Sequence, residues 1–276
     1  MILARIDWPE TCFDCLPIPI DLSLPPETVG MGLCRRGDGY IALTMTQPVD
    51  IGYSGWVELD ERFAPVDSGT FRTVHQAHSI APYRDGFIVN SSGTDSLVYV
   101  DFDGVEEPFW AHGDGRSHDV HVNSLAVVGE SVYVTMLGPQ TPDGWYNSSS
   151  GVVWNVTANE EVCGGLAHPH SLFFLEGRLC VLESLTGRVL DISTGNPREI
   201  AHVEGYASGA FVSGRRLNIG TSFCRLHSRH SPNSRHRTKI RSRCGISRID
   251  PATGAVDRYE LWRHSREIYD ILVVDE

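Results

Sequence analysis

One sequence unit recurs along the chain and limits its architecture more than any other feature. The unit begins with a polar residue, continues with an apolar residue and a glycine-containing turn, and ends in an apolar strand. Its clearest copies begin at His78, Asn123 and His170. Short strands with regular turns and no long helical period are typical of a β-propeller, in which four-stranded blades stack on their neighbours.

Weaker copies of this unit extend the pattern along the chain. They begin at Gly32 and Ser208, and an incomplete copy begins at Tyr269. Counting the copies predicts an all-β, six-bladed β-propeller that occupies residues 1–276 as one domain. A second unit, a short strand ending near an acidic residue or an asparagine, follows each complete copy. Residues 3–7 match this second unit, so we expect this N-terminal strand to close the ring by joining the C-terminal blade. A β-sandwich is the competing all-β arrangement.

Histidines fall at corresponding positions of the repeat. Two positions of the repeat are polar in three consecutive blades. The later position holds His78, Asn123 and His170, and the position two residues earlier holds Gln76, His121 and His168. Residues two apart in a strand face the same way, and inner strands of a propeller begin at the mouth of the channel, so we expect these side chains to converge. We extend the two positions to Ala207 and Gly205 in the fifth blade and to Tyr269 and Glu267 in the sixth.

Converging imidazoles predict a metal site. Imidazole is the commonest metal ligand near neutral pH, and three protein ligands with one open position are typical of catalytic zinc. We therefore predict a divalent transition metal bound by His78, His170 and either His121 or Asn123, with Glu267 as a further ligand or a base. Nitrogen ligands favour zinc, which we expect first, or iron, nickel or copper, over calcium.

Other polar side chains complete the predicted site. The candidates for proton transfer are His168, Tyr269 and Glu267, and those for substrate contact are Arg35, Tyr206 and Arg243. Each of these residues has a structural alternative. A buried histidine is commonly a hydrogen-bonded core residue, an aromatic residue at the start of a blade commonly packs against its neighbours, and an arginine commonly lies on the surface.

Charge is distributed unevenly along the chain. The formal net charge of −12 disfavours nucleic acid as a partner. A basic insertion at 223–244 nevertheless holds six arginines, one lysine, three histidines and no acidic residue. We expect a surface loop that either caps the channel mouth and draws in a carboxylate or phosphate substrate, or is simply solvated.

Cysteine content and hydropathy bear on the compartment. Seven cysteines, an odd number, argue against a disulfide framework and for a reducing, cytoplasmic location. The first ten residues lack the pattern of a secretory signal. No apolar run approaches the roughly 18 residues of a membrane span, so we expect no membrane partner.

The stretch from Ala167 to Arg188 resembles an NHL-type propeller repeat and is similar to that of the zinc-dependent peptidyl-hydroxyglycine lyases. The resemblance implies that His170 and His78 are zinc ligands. An arginine that these lyases carry soon after this strand is replaced around Ser184, so their own reaction is not implied. The position of Asn123 also resembles that of calcium-binding residues in lactonase propellers.

Residues 110–276 resemble an uncharacterised bacterial β-propeller family. The shared motifs are His-Val-Asn-Ser-Leu-Ala at 121–126, Pro-His-Ser at 169–171, Arg-Cys-Gly at 243–245 and Glu-x-Tyr-Asp at 267–270. This resemblance implies the fold and a place in bacterial specialised metabolism, without a defined reaction.

These features together predict a metal-dependent enzyme of lyase or isomerase type. The ion would act as a Lewis acid on a small polar, anionic metabolite. Three alternatives stay open: a non-catalytic propeller that binds a protein or a small ligand on its top face, a metal-dependent hydrolase or lactonase, and oxygen chemistry at iron or copper.

Overall fold

Antiparallel sheets of four strands make up most of the described chain. The computed structural model describes residues 3–5, 18–20, 28–46, 53–142, 144–145, 148–222, 244–261, 263 and 267–272. These residues contain 22 β-strands, of which 20 form five four-stranded sheets with their strands side by side in chain order. This arrangement is that of propeller blades, and the predicted all-β propeller is confirmed.

The blades follow one another along the chain. Blade 1 comprises β3 (Thr28–Arg36), β4 (Gly39–Thr46), β5 (Tyr53–Leu59) and β6 (Pro65–His75), and blade 2 comprises β7 (Ile80–Tyr83), β8 (Gly86–Ser91), β9 (Ser96–Asp101) and β10 (Glu106–Ala111). Blade 3 comprises β11 (Val122–Val128), β12 (Ser131–Met136), β13 (Gly151–Asn155) and β14 (Glu160–Leu166), and blade 4 comprises β15 (Pro169–Leu175), β16 (Arg178–Glu183), β17 (Arg188–Asp191) and β18 (Arg198–His202). Blade 5 comprises β19 (Tyr206–Ser213), β20 (Arg216–Ser222), β21 (Gly245–Ile249) and β22 (Val256–Glu260). The first strand of each blade contacts the first strand of the next, so it is the inner strand.

Apolar clusters fill the spaces between consecutive blades. Each junction buries side chains from both neighbours, for example Leu43 with Val89, Ile88 with Val134, Val153 with Val181, and Leu182 with Leu217. Strand β8 is buried along its whole length because both of its faces are covered. A blade therefore gains its stability from its neighbours, as the repeat in the sequence predicts.

The described residues form five blades, and the predicted six is wrong. Among the described residues, the sixth copy of the repeat at Tyr269 is followed by no further strand. Counting inner strands overestimates the number, because a blade also needs the three strands that follow. The N-terminal strand β1 (Leu3–Arg5) pairs with β2 (Ile18–Ile20) in a sheet of two, so its predicted pairing with a C-terminal blade is not found in this part of the chain.

Residues 267–272 lie between blade 5 and blade 1, where a sixth inner strand would be. Ile268 packs against the apolar cluster of blade 5, and Leu272 packs against that of blade 1. The carboxylate of Asp270 accepts a hydrogen bond of 2.9 Å from the backbone N–H of Leu33 in β3. This segment thus joins the two blades without being assigned as a strand.

The candidate histidines lie at one end of the sheets, which we call the site end. The inner strands begin there, and the connections between the second and third strands of each blade emerge there as well. The basic insertion connects β20 to β21 at this end, directly after Ser222, which pairs with Tyr206. Residues 223–243 themselves, and with them Arg243, lie outside the described residues.

Two further observations concern the cysteines and the helices. Four of the cysteines are described, and Cys34, Cys163, Cys180 and Cys244 are buried free thiols. No helix within the described ranges has the length and apolarity needed to cross a membrane.

Candidate functional site

The candidate histidines lie just before the inner strands or within their first two residues. Strand β7 begins at Ile80, two residues after His78, whereas β11 and β15 begin directly after His121 and His168. Gln76, His121 and His168 have left-handed backbone conformations, with φ of 55°, 53° and 55°. A left-handed residue breaks the alternation of a strand, so the expectation that alternation orients these side chains is wrong at the earlier position.

Backbone pairing fixes which residues correspond between blades. The inner strands of blades 3, 4 and 5 each pass through a register shift, after which Leu125 pairs with Val134, Leu172 with Val181, and Ala210 with Ile219. Two residues before these partners lie Asn123, His170 and Ser208. Blade 5 therefore places Tyr206 and Ser208 at the two repeat positions. The predicted extension to Gly205 and Ala207 is wrong by one residue.

His78 and His170 are held by the same pair of contacts in blades 2 and 4. The Nδ1 atom of His78 lies 2.7 Å from the backbone oxygen two residues earlier and 2.9 Å from Oγ of Ser92. The Nδ1 atom of His170 lies 3.1 Å from the equivalent backbone oxygen and 2.9 Å from Oγ of Ser184. Each serine follows its histidine by 14 residues.

These contacts determine the tautomer of both rings. A carbonyl oxygen can only accept a hydrogen bond, so Nδ1 of His78 and Nδ1 of His170 must donate. The lone pair of the neutral imidazole is then on Nε2. Metal-binding histidines commonly donate their other ring N–H to a carbonyl in this way. Both rings are thus in the form that ligates a metal through Nε2.

His121 lies beside His78 in an aromatic group. The ring centroids of His78 and His121 are 5.2 Å apart, and Nδ1 of His121 lies 2.7 Å from Nε2 of His118. Trp145 packs against His118 and His121, and its ring centroid lies 4.5 Å from that of His118 and 5.1 Å from that of His121. Its indole N–H donates to the backbone oxygen of Gly138, which fixes the ring over the histidines.

His168 and Tyr206 form a second pair at the site end. Nε2 of His168 contacts the backbone oxygen of Trp145 and must donate to it, which leaves Nδ1 to accept from the Tyr206 hydroxyl at 3.2 Å. Tyr206 also packs edge-on against His170, with ring centroids 5.4 Å apart. Both ring nitrogens of His168 therefore contact protein groups, and its effect on a substrate would run through the Tyr206 hydroxyl.

Burial favours the neutral form of His118, His121 and His170. Desolvation lowers the pKa of His118, and it lowers the pKa of His170 to about 3. Desolvation, followed by the proximity of His78, His118 and His170, lowers the pKa of His121 well below its ordinary value. Neutral imidazole is the form that binds a metal ion.

The donor set suits a transition metal, but the site is not preformed. Two imidazoles that ligate one tetrahedral zinc through Nε2, at about 2.0 Å, have centroids about 5 Å apart. The pair His78 and His121, at 5.2 Å, matches this separation. Within the described residues, however, no group of three or more His, Cys, Asp or Glu side chains is arranged to hold an ion as it stands.

The other predicted site residues are more dispersed. Asn123 is buried in β11. The Tyr269 hydroxyl donates to the Glu267 carboxylate at 2.7 Å, and the Tyr269 ring packs against the apolar cluster between blades 1 and 2. Arg35 is exposed near the β3–β4 turn, at the end of β3 away from the site end. The side chains that the structure brings together are those of His78, His118, His121, His168, His170 and Tyr206.

Several residues of the site escape sequence analysis. They are Ser92, His118, Trp145, Ser184 and Asp95, whose carboxylate accepts hydrogen bonds from backbone N–H groups on both sides of His121. The serines carry a signal, since each lies 14 residues after a repeat histidine. Trp145 carries none, because it reaches the site from a long connection outside the repeat.

Proteins of different kinds share this fold. A chain of the nidogen–laminin complex aligns with a TM-score of 0.61 and 13% identity over 89% of this chain and 84% of its own. Regucalcin from Agrobacterium tumefaciens, a calcium-binding protein, aligns with a TM-score of 0.60 and 12% identity over 84% and 74% of the two chains. A luciferin-regenerating enzyme aligns with a TM-score of 0.61 and 12% identity over 88% and 78%. At such identities the likeness shows the fold alone.

Sequence comparison gives the family. No curated protein matches the sequence. Residues 75–276, which include blades 2 to 5 and the segment 267–272, match the family described as "Domain of unknown function (DUF4915)". The predicted resemblance to an uncharacterised propeller family is thereby confirmed, and the chain belongs to the DUF4915 family.

Proposed function

We propose that the chain is an enzyme for a small metabolite, with a divalent transition metal bound at the site end by Nε2 of His78, His121 and His170. The observation that carries the proposal is the shared Nδ1 contact pattern of His78 and His170. Two blades that are not adjacent hold their imidazoles in one tautomer, with His121 between them.

Binding of an ion requires at least one ring to rotate. His121 is the candidate for that movement, because its Nδ1 contact is to another side chain, His118, and not to the backbone. His78 and His170 are each tied to a backbone oxygen as well as to a serine. Zinc is the ion that we expect first, since the donors are neutral imidazole nitrogens.

The reaction class that we propose is lyase or isomerase chemistry on a small polar, anionic substrate. A bound divalent ion supplies Lewis-acid activation of a carbonyl or hydroxyl group. The chain contributes the Tyr206 hydroxyl, whose hydrogen bond to Nδ1 of His168 gives its proton an acceptor. Trp145 covers one side of His118 and His121.

Metal analysis of the purified protein tests the proposal. We expect about one zinc or other first-row ion per chain after metal-replete expression, and His170→Ala or His78→Ala should lower zinc affinity by at least about 100-fold, beyond the range for loss of an outer contact. His202→Ala is the matched control, because His202 is exposed on β18 and contacts only Glu199 among the described partners. Wild-type protein without bound metal, or equal affinity in all three variants, would refute the proposal.

A second candidate is a non-catalytic propeller that binds a small ligand at the same place. It is favoured by the absence, among the described residues, of three donors already arranged around one point. Such a protein would bind its ligand against Trp145, His118 and Tyr206 without any ion. Thermal stabilisation by a metabolite in the presence of a chelator, with no turnover, would select this candidate.

A further inference from the structure

We propose that Ser92 and Ser184 are positioning residues that direct His78 and His170 to present Nε2 to the axis. The inference rests on the proposed function in one respect, because it assigns the coordinating atom of the proposed ligands. The two serines determine which ring nitrogen of each histidine carries the proton.

The hydrogen bonds of Ser92 fix the direction in which its hydroxyl proton points. Its oxygen contacts the backbone oxygen of Val122 in the next blade, and a carbonyl can only accept, so the single hydroxyl proton points there. The side-chain amide of Asn90 donates to the same Oγ at 3.0 Å. The contact with Nδ1 of His78 at 2.9 Å must therefore be one in which the ring donates and Ser92 accepts.

Ser184 repeats this arrangement two blades later. Its hydroxyl donates to the backbone oxygen of Ala207 in blade 5, and its lone pair accepts from Nδ1 of His170 at 2.9 Å. The hydroxyl proton is already committed in both blades, so neither serine can donate to a ring nitrogen. Each serine therefore disfavours the tautomer in which Nδ1 bears the lone pair.

Blade 5 shows the serine without a histidine. Ser222 is the equivalent residue, and its hydroxyl contacts the backbone oxygen of Ile268 at 3.1 Å. The histidine position there is Ser208, whose hydroxyl lies 3.2 Å from that of Ser222. The link to the next segment thus exists without an imidazole, and the histidine contact in blades 2 and 4 is an additional role. Ser222 is accordingly the matched control.

The two histidines should depend on their serines to different degrees. The carbonyl contact of His78 is short, at 2.7 Å, and restrains Nδ1 even without Ser92. The carbonyl contact of His170 is longer, at 3.1 Å, than its contact with Ser184 at 2.9 Å. Loss of Ser184 should therefore disturb His170 more than loss of Ser92 disturbs His78.

Nitrogen-15 NMR of histidine-labelled, metal-free protein at pH 7.5 measures the tautomers directly. The signals of His78 and His170 are assigned by their loss in His78→Ala and His170→Ala. We expect both rings to be protonated at Nδ1 in the wild type. Ser184→Ala should shift the His170 signals toward the Nε2-protonated form, Ser92→Ala should shift those of His78 less, and Ser222→Ala should shift neither.

Zinc affinity is the second measurement. We expect Ser184→Ala to weaken zinc binding about 10- to 100-fold, as for other outer contacts of a ligand, whereas Ser222→Ala leaves it unchanged. Ser184→Thr, which keeps a hydroxyl, should restore the wild-type tautomer and affinity.

The outcomes separate the two proposals. The positioning role would be overturned by wild-type rings protonated at Nε2, or by a His170 tautomer that is unchanged in Ser184→Ala. The wild-type spectrum is decisive even if a variant fails to fold. Tautomers that respond as expected in a protein that binds no metal would overturn the proposed metal dependence and leave the positioning role standing.

Discussion

At the residue scale, a single buried carboxylate holds the segment that carries two of the histidines. Asp95 is 1% exposed, and its carboxylate accepts hydrogen bonds from the backbone N–H groups of Asp119, Val120 and Val122. His121 lies within this run. A side chain from blade 2 therefore orders the entry to the inner strand of blade 3, and with it the position of the His121 ring.

Asp95→Asn tests this role, because the amide replaces one acceptor oxygen by a donor group facing N–H donors. We expect the free energy of unfolding to fall by about 2–4 kcal/mol, given the cost of unmatched buried polar groups and of lost charged hydrogen bonds. Urea denaturation followed by fluorescence measures it. Asp103→Asn, in an exposed turn, is the control. A change below about 0.5 kcal/mol at Asp95 would contradict the assignment.

The predictability of single residues follows from the same contacts. His78 and His170 can be predicted because the repeat places them at one position and chemistry singles out the imidazole. Asp95 and Ser92 cannot be predicted so readily, since Asp and Ser are common in turns and their partners belong to the following blade.

At the element scale, the segment 267–272 depends on space left by glycines of blade 5. A Cβ atom added at Gly220 in β20 would lie 2.6 Å from the side chain of Ile268 and 2.7 Å from the backbone oxygen of Ser208. Added at Gly209, which has a φ of 80°, it would lie 3.1 Å from Cα of Asp270. The two glycines permit the close approach of a chain segment that has no partner strands of its own among the described residues.

Gly220→Ala should therefore displace this segment. We expect a loss of about 1–3 kcal/mol in unfolding free energy, typical of overpacking, together with faster hydrogen exchange in residues 267–272. Gly214→Asn is the matched control, because that position has a φ of 57°, which asparagine tolerates, and open space around it. Unchanged exchange in Gly220→Ala would show that the segment does not depend on this contact.

The elements themselves were largely predictable, and their register was less so. Apolar alternation and turn residues mark the strands of blades 2 to 4 in the sequence. The register shift between Ala207 and Ala210 has no such mark, because small residues on both sides fit either alignment. The repeat position in blade 5 is consequently displaced by one residue in the sequence interpretation.

At the scale of the whole molecule, one junction differs from the others. Four junctions are formed between complete blades, whereas blade 5 and blade 1 meet through residues 267–272. Asp270 links that segment to Leu33, and desolvation raises the pKa of its carboxyl group to about 7 against the hydrogen bonds from Leu33 and Ile271, which lower it. Repeat counting could not reveal this junction, because an inner strand alone has the same sequence signal as one with a complete blade.

The pH dependence of stability should report on Asp270. Its pKa in the folded chain lies above the ordinary value of 3.8, so the folded protein binds this proton more tightly than the unfolded chain. Its contribution to the free energy of unfolding is therefore present below about pH 4 and is lost as the pH rises through about 7. Asp270→Asn should remove this decline, so the unfolding free energy of the wild type minus that of the variant should fall between about pH 4 and pH 7.

The histidines act in the opposite direction and must be separated from Asp270. The pKa of His170 is lowered to about 3, so its contribution is present above its ordinary value of 6.5 and is lost as the pH falls toward 3. The difference between wild-type and Asp270→Asn curves cancels this common term. A difference that stays constant from pH 4 to pH 8 would contradict the assignment to Asp270.

The two serine hydroxyls have a consequence for the motion of the ring. Each hydroxyl donates its proton to a backbone oxygen of the next blade and accepts a hydrogen bond from an imidazole. A displacement of the imidazole would therefore also displace the contact between the two blades. A ligand bound to these imidazoles would then reduce the relative motion of blades 2 and 3 and of blades 4 and 5. The junction that Ser222 fastens, with no imidazole attached to it, would keep its freedom.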